Sequence, residues 1–114
     1  MFERELAATA AAMVAPGKGI LAIDESSGTI KKRFDTIGVE SNVETRRAYR
    51  DLLITTEGLS QFISGMILYD ETIKQATKGG APFPEALKKA GILTGIKVDT
   101  GAKALAGAAG EQIT

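Results

Sequence analysis

Cysteine and histidine are both missing from this 114-residue chain. The first absence rules out disulfides, thiolate metal sites and a cysteine nucleophile. The second removes the commonest general base and the commonest zinc ligand. Acid–base chemistry therefore falls to Asp, Glu, Lys or Tyr. Charge of one sign is missing too, since 14 basic residues face 14 acidic ones. A balanced chain projects no one-signed field toward a polyanion, so neither nucleic acid nor a membrane is expected as a partner. No apolar run reaches the roughly 20 residues needed to span a bilayer. The N-terminal stretch carries Glu3, Arg4 and Glu5, where a secretory leader wants a basic start and an unbroken apolar segment. A soluble, cytoplasmic protein is the expectation.

What is present is ordinary for a globular chain: 44% hydrophobic and 25% charged residues. The length suits one modest domain, residues 1–114, and is too short for two. Phe2–Val14 is rich in Ala, Leu and Glu and predicts a helix with Leu6, Ala10 and Met13 on one face. Pro16 and Gly17 break it. Three short apolar runs follow: Gly19–Asp24, Phe62–Leu68 and Ile92–Val98. Between them lie helical patterns over Thr29–Ile37, Glu44–Thr55 with Asn42 as N-cap, a stretch from Glu71 to about Ala76, and Pro84–Ala90. Beyond Gly101 the chain becomes small and loose. The runs are near-continuously apolar, with no polar alternation. That favours a parallel sheet covered on both faces by helices. Each run ends in charge: Asp24, then Asp70 with Glu71, then Lys97 with Asp99. In a (β/α)8 barrel the chemistry gathers at the C-terminal ends of strands, but a whole barrel needs eight strands and about 250 residues.

The residues at those ends admit more than one reading. Asp24 shares a period-two face with Ala22 and Ile20. Either it caps the following turn or it serves a site. Ser26, Ser27 and Thr29 open a helix that carries Lys31, Lys32 and Arg33. Such a start can hold a phosphate on its free N–H groups, or it can be a plain capped surface helix. Lys97 interrupts an apolar run, with Gly95 and Asp99 on its face. It can bind a substrate phosphate, act as an amine nucleophile if its pKa is lowered, or run its stem out to solvent. The Gly17–Gly19 triplet is not a P-loop, because the upstream glycine and the following Ser or Thr are absent. Asp99–Gly101 looks like a turn.

Five segments together resemble a known family. APGKGILAIDESSGTIKKR (Ala15–Arg33), ETRRAYRDLL (Glu44–Leu53), ISGMILYDETIKQ (Ile63–Gln75), GIKVDTG (Gly95–Gly101) and LAGAAGEQIT (Leu105–Thr114) are similar, in order and spacing, to the front of class I fructose-1,6-bisphosphate aldolases. The resemblance implies an α/β fold: a partial (β/α)8 TIM barrel holding about the first three parallel strands with their helices. It implies a glycolytic lyase that cleaves fructose 1,6-bisphosphate to dihydroxyacetone phosphate and glyceraldehyde 3-phosphate through a Schiff base, with no metal and no cofactor. Asp24 matches the family's active-site aspartate. Ser26, Thr29 and Lys97 match its binding positions for the phosphate far from the Schiff base, and Arg33 matches a basic position near that phosphate. A sugar phosphate is the implied partner, and a homo-oligomer the implied state of a full-length protein. Ile23 and Ser27 depart mildly from the family's usual Ala and Thr.

The family's Schiff-base lysine, its two glutamates, a further lysine and the second phosphate site fall on later strands, past Thr114. The chain is therefore expected to be an N-terminal fragment, inactive alone. Three situations fit: an incomplete record of an aldolase, one part of a split barrel, or a non-enzymatic piece that keeps only the sugar-phosphate site.

Overall fold

The computed structural model describes residues 1–114. Its centre is a three-stranded sheet of β1 (Gly19–Ala22), β2 (Ile63–Leu68) and β3 (Leu93–Ile96), in the order β1-β2-β3 with both pairs parallel. The crossovers carry α2 (Ser27–Asp35) and α3 (Val43–Ile54) between the first two strands. Between the second and third lie α4 (Asp70–Ile73) and α5 (Phe83–Ala90). Local chemistry sets these limits. Asn42 caps α3 by accepting from the Thr45 amide, and the Thr45 hydroxyl accepts from the Asn42 amide in return; such a reciprocal cap satisfies two orphan donors. Gly91 ends α5 at a φ of 78°, a left-handed conformation that glycine adopts without strain, and the chain turns there into β3.

Register assigns the side chains to two faces. In a parallel pair, residues aligned across the ladder point the same way. Leu21, Met66 and Thr94 align on one face, and Ala22, Ile67 and Gly95 on the other. The first face is packed. Ile23, Met66 and Leu68 meet Ile54 of α3, Phe83 and Leu87 of α5, and Ile92, all buried in one cluster. Each such side chain contributes about 1.5–3 kcal/mol of transfer free energy.

The second face is open, as an incomplete barrel leaves it, although the apolar runs call for cover on both sides. Its one cover is Met13, whose sulfur sits where a Cβ on Gly65 would be, 2.5 Å away. Only β2, flanked by both neighbours, is buried along most of its length. β1 and β3 are edges, and much of each lies exposed. Continuous apolar runs reported the burial of a closed barrel, and three strands do not close one. The same cause explains the loose dimensions. The radius of gyration is 16.4 Å, against about 13 Å for a compact chain of this length.

Other expectations shift in detail. α1 (Glu3–Met13) forms as predicted but buries no residue, and Leu6 on its predicted apolar face is 67% exposed. The helix predicted to reach Ala76 stops at Ile73. There the backbone turns back on itself, with an antiparallel bridge between Ala76 and Pro82. The tail read as loose contains a small antiparallel pair, β4 (Lys103–Ala104) with β5 (Gln112–Ile113), both exposed. Strands of two residues leave too little pattern to read.

Candidate functional site

The open face leads to the C-terminal ends of the strands, and the predicted residues collect there. The ladder continues past the strands: the Ile23 amide donates to the Ile67 carbonyl at 3.0 Å, and the Lys97 amide to the Leu68 carbonyl at 2.9 Å. Counting on by two from Ala22, Ile67 and Gly95 puts Asp24, Tyr69 and Lys97 on the open face. The Lys97 ammonium stands 3.5 Å from Asp24 Oδ2 and 2.6 Å from Asp99 Oδ1. A Cβ at Gly95 would make only ordinary contact with the Ile67 backbone, at 3.5 Å.

Beside this triad lies the start of α2. The Ser26 side chain caps the helix, accepting from the Thr29 amide at 3.4 Å, and the two hydroxyls lie 3.1 Å apart. Ser26, Thr29, Tyr69, Asp70, Lys97 and Thr100 border a cleft of about 660 Å³. Hydroxyls, a helix N-terminus and an ammonium are the donors an oxyanion needs. Arg33 is not among the lining residues. One turn beyond Thr29, it is largely exposed and bonds Glu25 Oε2 at 3.0 Å.

The electrostatics bear on Lys97's two chemical options. Its pKa is raised, chiefly by the hydrogen bond to Asp99, with the Asp24 charge adding to it. Asp99 is correspondingly held below the usual carboxylate range by Lys97 and by the Gly101 amide. A lysine kept charged is an anion ligand, whereas a nucleophilic amine needs a lowered pKa. The cleft is nonetheless not basic. Lys97 is its one cation, while Asp70 and Asp99 are among its lining residues. Asp70 is partly neutralised by Lys74 at 2.8 Å. An arriving phosphate therefore has to draw the ammonium away from Asp99.

Glu71, at the same strand end as Asp70, turns the other way. Arg46 of α3 grips its two oxygens at 2.8 and 2.9 Å and depresses its pKa. Two contributors were not singled out from sequence. Tyr69 could have been found by extending the period-two count of β2 by one step. Arg50 lies four residues before the buried Ile54, on the stripe of α3 that faces inward. A basic residue on an inward stripe was the available signal.

No helix is long and apolar enough to cross a membrane, and no group of acidic side chains is placed to hold a metal ion. A family model described as fructose-bisphosphate aldolase class-I matches residues 5–114. A probable class 1 fructose-bisphosphate aldolase of Xylella fastidiosa is 62% identical over 110 residues, which is 96% of this chain and 33% of that protein. A cytosolic fructose-bisphosphate aldolase of Arabidopsis thaliana is 56% identical over 110 residues, 28% of its length. Among solved structures, the fructose-bisphosphate aldolase of Plasmodium falciparum, determined with TRAP and a small-molecule inhibitor, superposes with a TM-score of 0.89 at 50% identity. That match covers 96% of this chain and 31% of the other. The chain thus spans about a third of the length of these relatives.

Proposed function

The chain belongs to the class I fructose-bisphosphate aldolase family, and from that premise we propose that its cleft is the distal half of an aldolase active site. Residues 1–114 form one incomplete barrel domain, and the remaining strands supply the Schiff-base lysine. In this reading the protein cleaves fructose 1,6-bisphosphate reversibly, in the cytoplasm, and the complete enzyme is a homo-oligomer. Asp24 meets the sugar hydroxyl next to the bond that breaks and supports its proton transfer. Ser26, Thr29 and Lys97 hold the phosphate remote from the imine. Arg33 has a long-range share: its guanidinium adds positive potential near α2 while it stays paired with the nearly buried Glu25 carboxylate.

One observation carries this reading. Asp24 and Lys97, 73 residues apart in sequence, meet at 3.5 Å on the open face of one parallel sheet, and Lys97 lines one cleft with Ser26 and Thr29. A carboxylate next to an anion pocket is what cleavage of a phosphorylated sugar needs. It supplies a group for the proton and a fixed charge for the handle.

The test joins this chain in frame to the remaining two thirds of its Xylella fastidiosa relative. The hybrid should cleave fructose 1,6-bisphosphate and form a borohydride-trappable adduct, whereas the 114-residue chain alone should do neither. In the hybrid, Asp24→Asn should lower kcat by about 10²–10⁴, and Lys97→Met should act mainly on KM. A hybrid that folds and cleaves equally well with both substitutions would sink the assignment.

A further inference from the structure

Arg50 is 0% exposed, in the middle of α3 on the packed side of the sheet. A guanidinium taken out of water is costly unless its donors are met. It has no carboxylate bonded to it. Its Nε donates to the Ile23 carbonyl at 3.2 Å and its Nη2 to the Glu25 carbonyl at 2.7 Å. Those two carbonyls flank Asp24. The Tyr49 ring lies under the cation at 5.9 Å, and Tyr49 in turn packs edge-on against Phe34 of α2. Burial pulls the arginine's pKa down, and the nearby Glu25 charge opposes that pull. Its hydrogen bonds thus go to the backbone of one short loop, while Nη1 is buried without a partner and the charge is balanced at longer range by Glu25 and Glu71.

The loop's side chains have partners of their own, Ile23 in the core, Asp24 at Lys97 and Glu25 at Arg33, but past the Ile23 amide its backbone is held chiefly by Arg50. β1 ends at Ala22, and the Ile23 amide makes the last ladder bond to β2. α2 begins at Ser27 and is fixed by its own Ser26 cap. Between these anchors, Asp24 projects onto the open face while its neighbours' carbonyls point to the packed face. A planar fork fixes the spacing between the two carbonyls; an ammonium, a point charge with rotatable donors, does not.

We propose that Arg50 is a positioning residue for Asp24: it clamps the peptide groups on either side and so sets where the carboxylate stands relative to Lys97 and the bound sugar. This rests on the aldolase reading of Asp24. Arg50 acts on Asp24 more than on the phosphate donors, because Ser26 and Thr29 are ordered by their own helix cap.

The expected signature is a loss in kcat with KM little changed. In the hybrid enzyme, Arg50→Lys keeps the charge but loses the rigid fork that spans the two carbonyls. It should lower kcat by about 10- to 100-fold, the scale of a sub-ångström to ångström misplacement, with KM within about twofold. Arg50→Met, which orphans both carbonyls, should lower it further; where that variant fails to fold, Arg50→Lys carries the test. The double substitution decides between positioning and general support. If Arg50 works through Asp24, Asp24→Asn with Arg50→Lys should be no slower than Asp24→Asn alone. Losses that multiply, or a rise in KM with kcat unchanged, would overturn the proposal. Should Asp24→Asn cripple the enzyme while Arg50→Lys is silent, only the positioning role falls. Should Asp24→Asn itself be silent, the aldolase reading of that residue falls, and the positioning role with it.

Discussion

The two faces of the sheet are built from the same short apolar runs and meet opposite conditions. On one, Ile23, Met66 and Leu68 disappear beneath α3 and α5. On the other, Ile20 and Ala22 stay exposed, and only Met13 reaches across to Gly65. The packed face has its partners within the crossovers that join the strands, so 114 residues suffice to complete it. The open face has none, because the inner face of a barrel is filled by strands on its far side. Stability therefore resides on one side and the chemical groups on the other, with Arg50 on the packed side holding the backbone that carries Asp24.

The sharpest break of this contrast comes from truncating one large side chain on each face. Phe83→Ala should cost about 3–5 kcal/mol, enough to unfold a marginal chain. Ile20→Ala, at an exposed edge, should stay within about 0.5 kcal/mol. Urea titration followed by circular dichroism measures both, and equal costs would mean that the faces do not differ in this way. Next in size is Gly65→Ala. Its methyl would displace the Met13 sulfur, loosening α1 at an expected cost of about 1–3 kcal/mol. Faster proteolysis within residues 3–13, with the β2 region still protected, would register it.

A third prediction concerns the edges. β1 and β3 offer unpaired backbone groups, and Ile20, Ile96 and Val98 are exposed nearby. Bare edges of this kind recruit other chains. Sedimentation of the isolated chain should therefore show association that grows with concentration. Replacing Ile96 by Lys should reduce it.

The smallest expected effect sharpens the picture of the open face. Asp99→Asn removes the anion that holds Lys97, so inorganic phosphate should bind a few-fold tighter, read by calorimetry on the hybrid enzyme. The pH window follows from the shifts. Asp99 is depressed, so its share of the pair is present above the ordinary aspartate range and is lost on acidification below about pH 4. Lys97 is raised, so its share is lost only as pH climbs past about 10. Between those limits the pair should be insensitive to pH.

Much of this arrangement was legible in the sequence because it is written in local signals. Apolar runs bounded by glycine and charge mark the strands, Asn42 marks the start of α3, and the charged residue after each run marks the mouth of the sheet. What escaped depends on partners far along the chain. An arginine in a charged helix reads as solvated, and nothing near Arg50 in sequence reveals that its donors meet carbonyls at residues 23 and 25. Tyr69 hid because the strand was taken to close at Leu68 and the charge at Asp70 drew notice instead. The one-sided cover follows from three strands that cannot close, since apolarity reports the burial a strand finds in the whole barrel. The short β4–β5 pair escaped because its strands are shorter than any period.

The meeting of Asp24 with Lys97 also has a history in time. The two lie on opposite sides of β2, so neither can find the other until both crossovers have docked. Contacts of such long sequence separation are made late, after loop closure has been met by shorter-range packing. A nascent chain that has emerged only as far as Leu68 has Asp24 without its Lys97 counter-charge and lacks Phe83, Leu87 and Ile92 of the packed core. This half of the site forms only when the third strand arrives, which makes that ion pair a clock for completion of the three-stranded sheet.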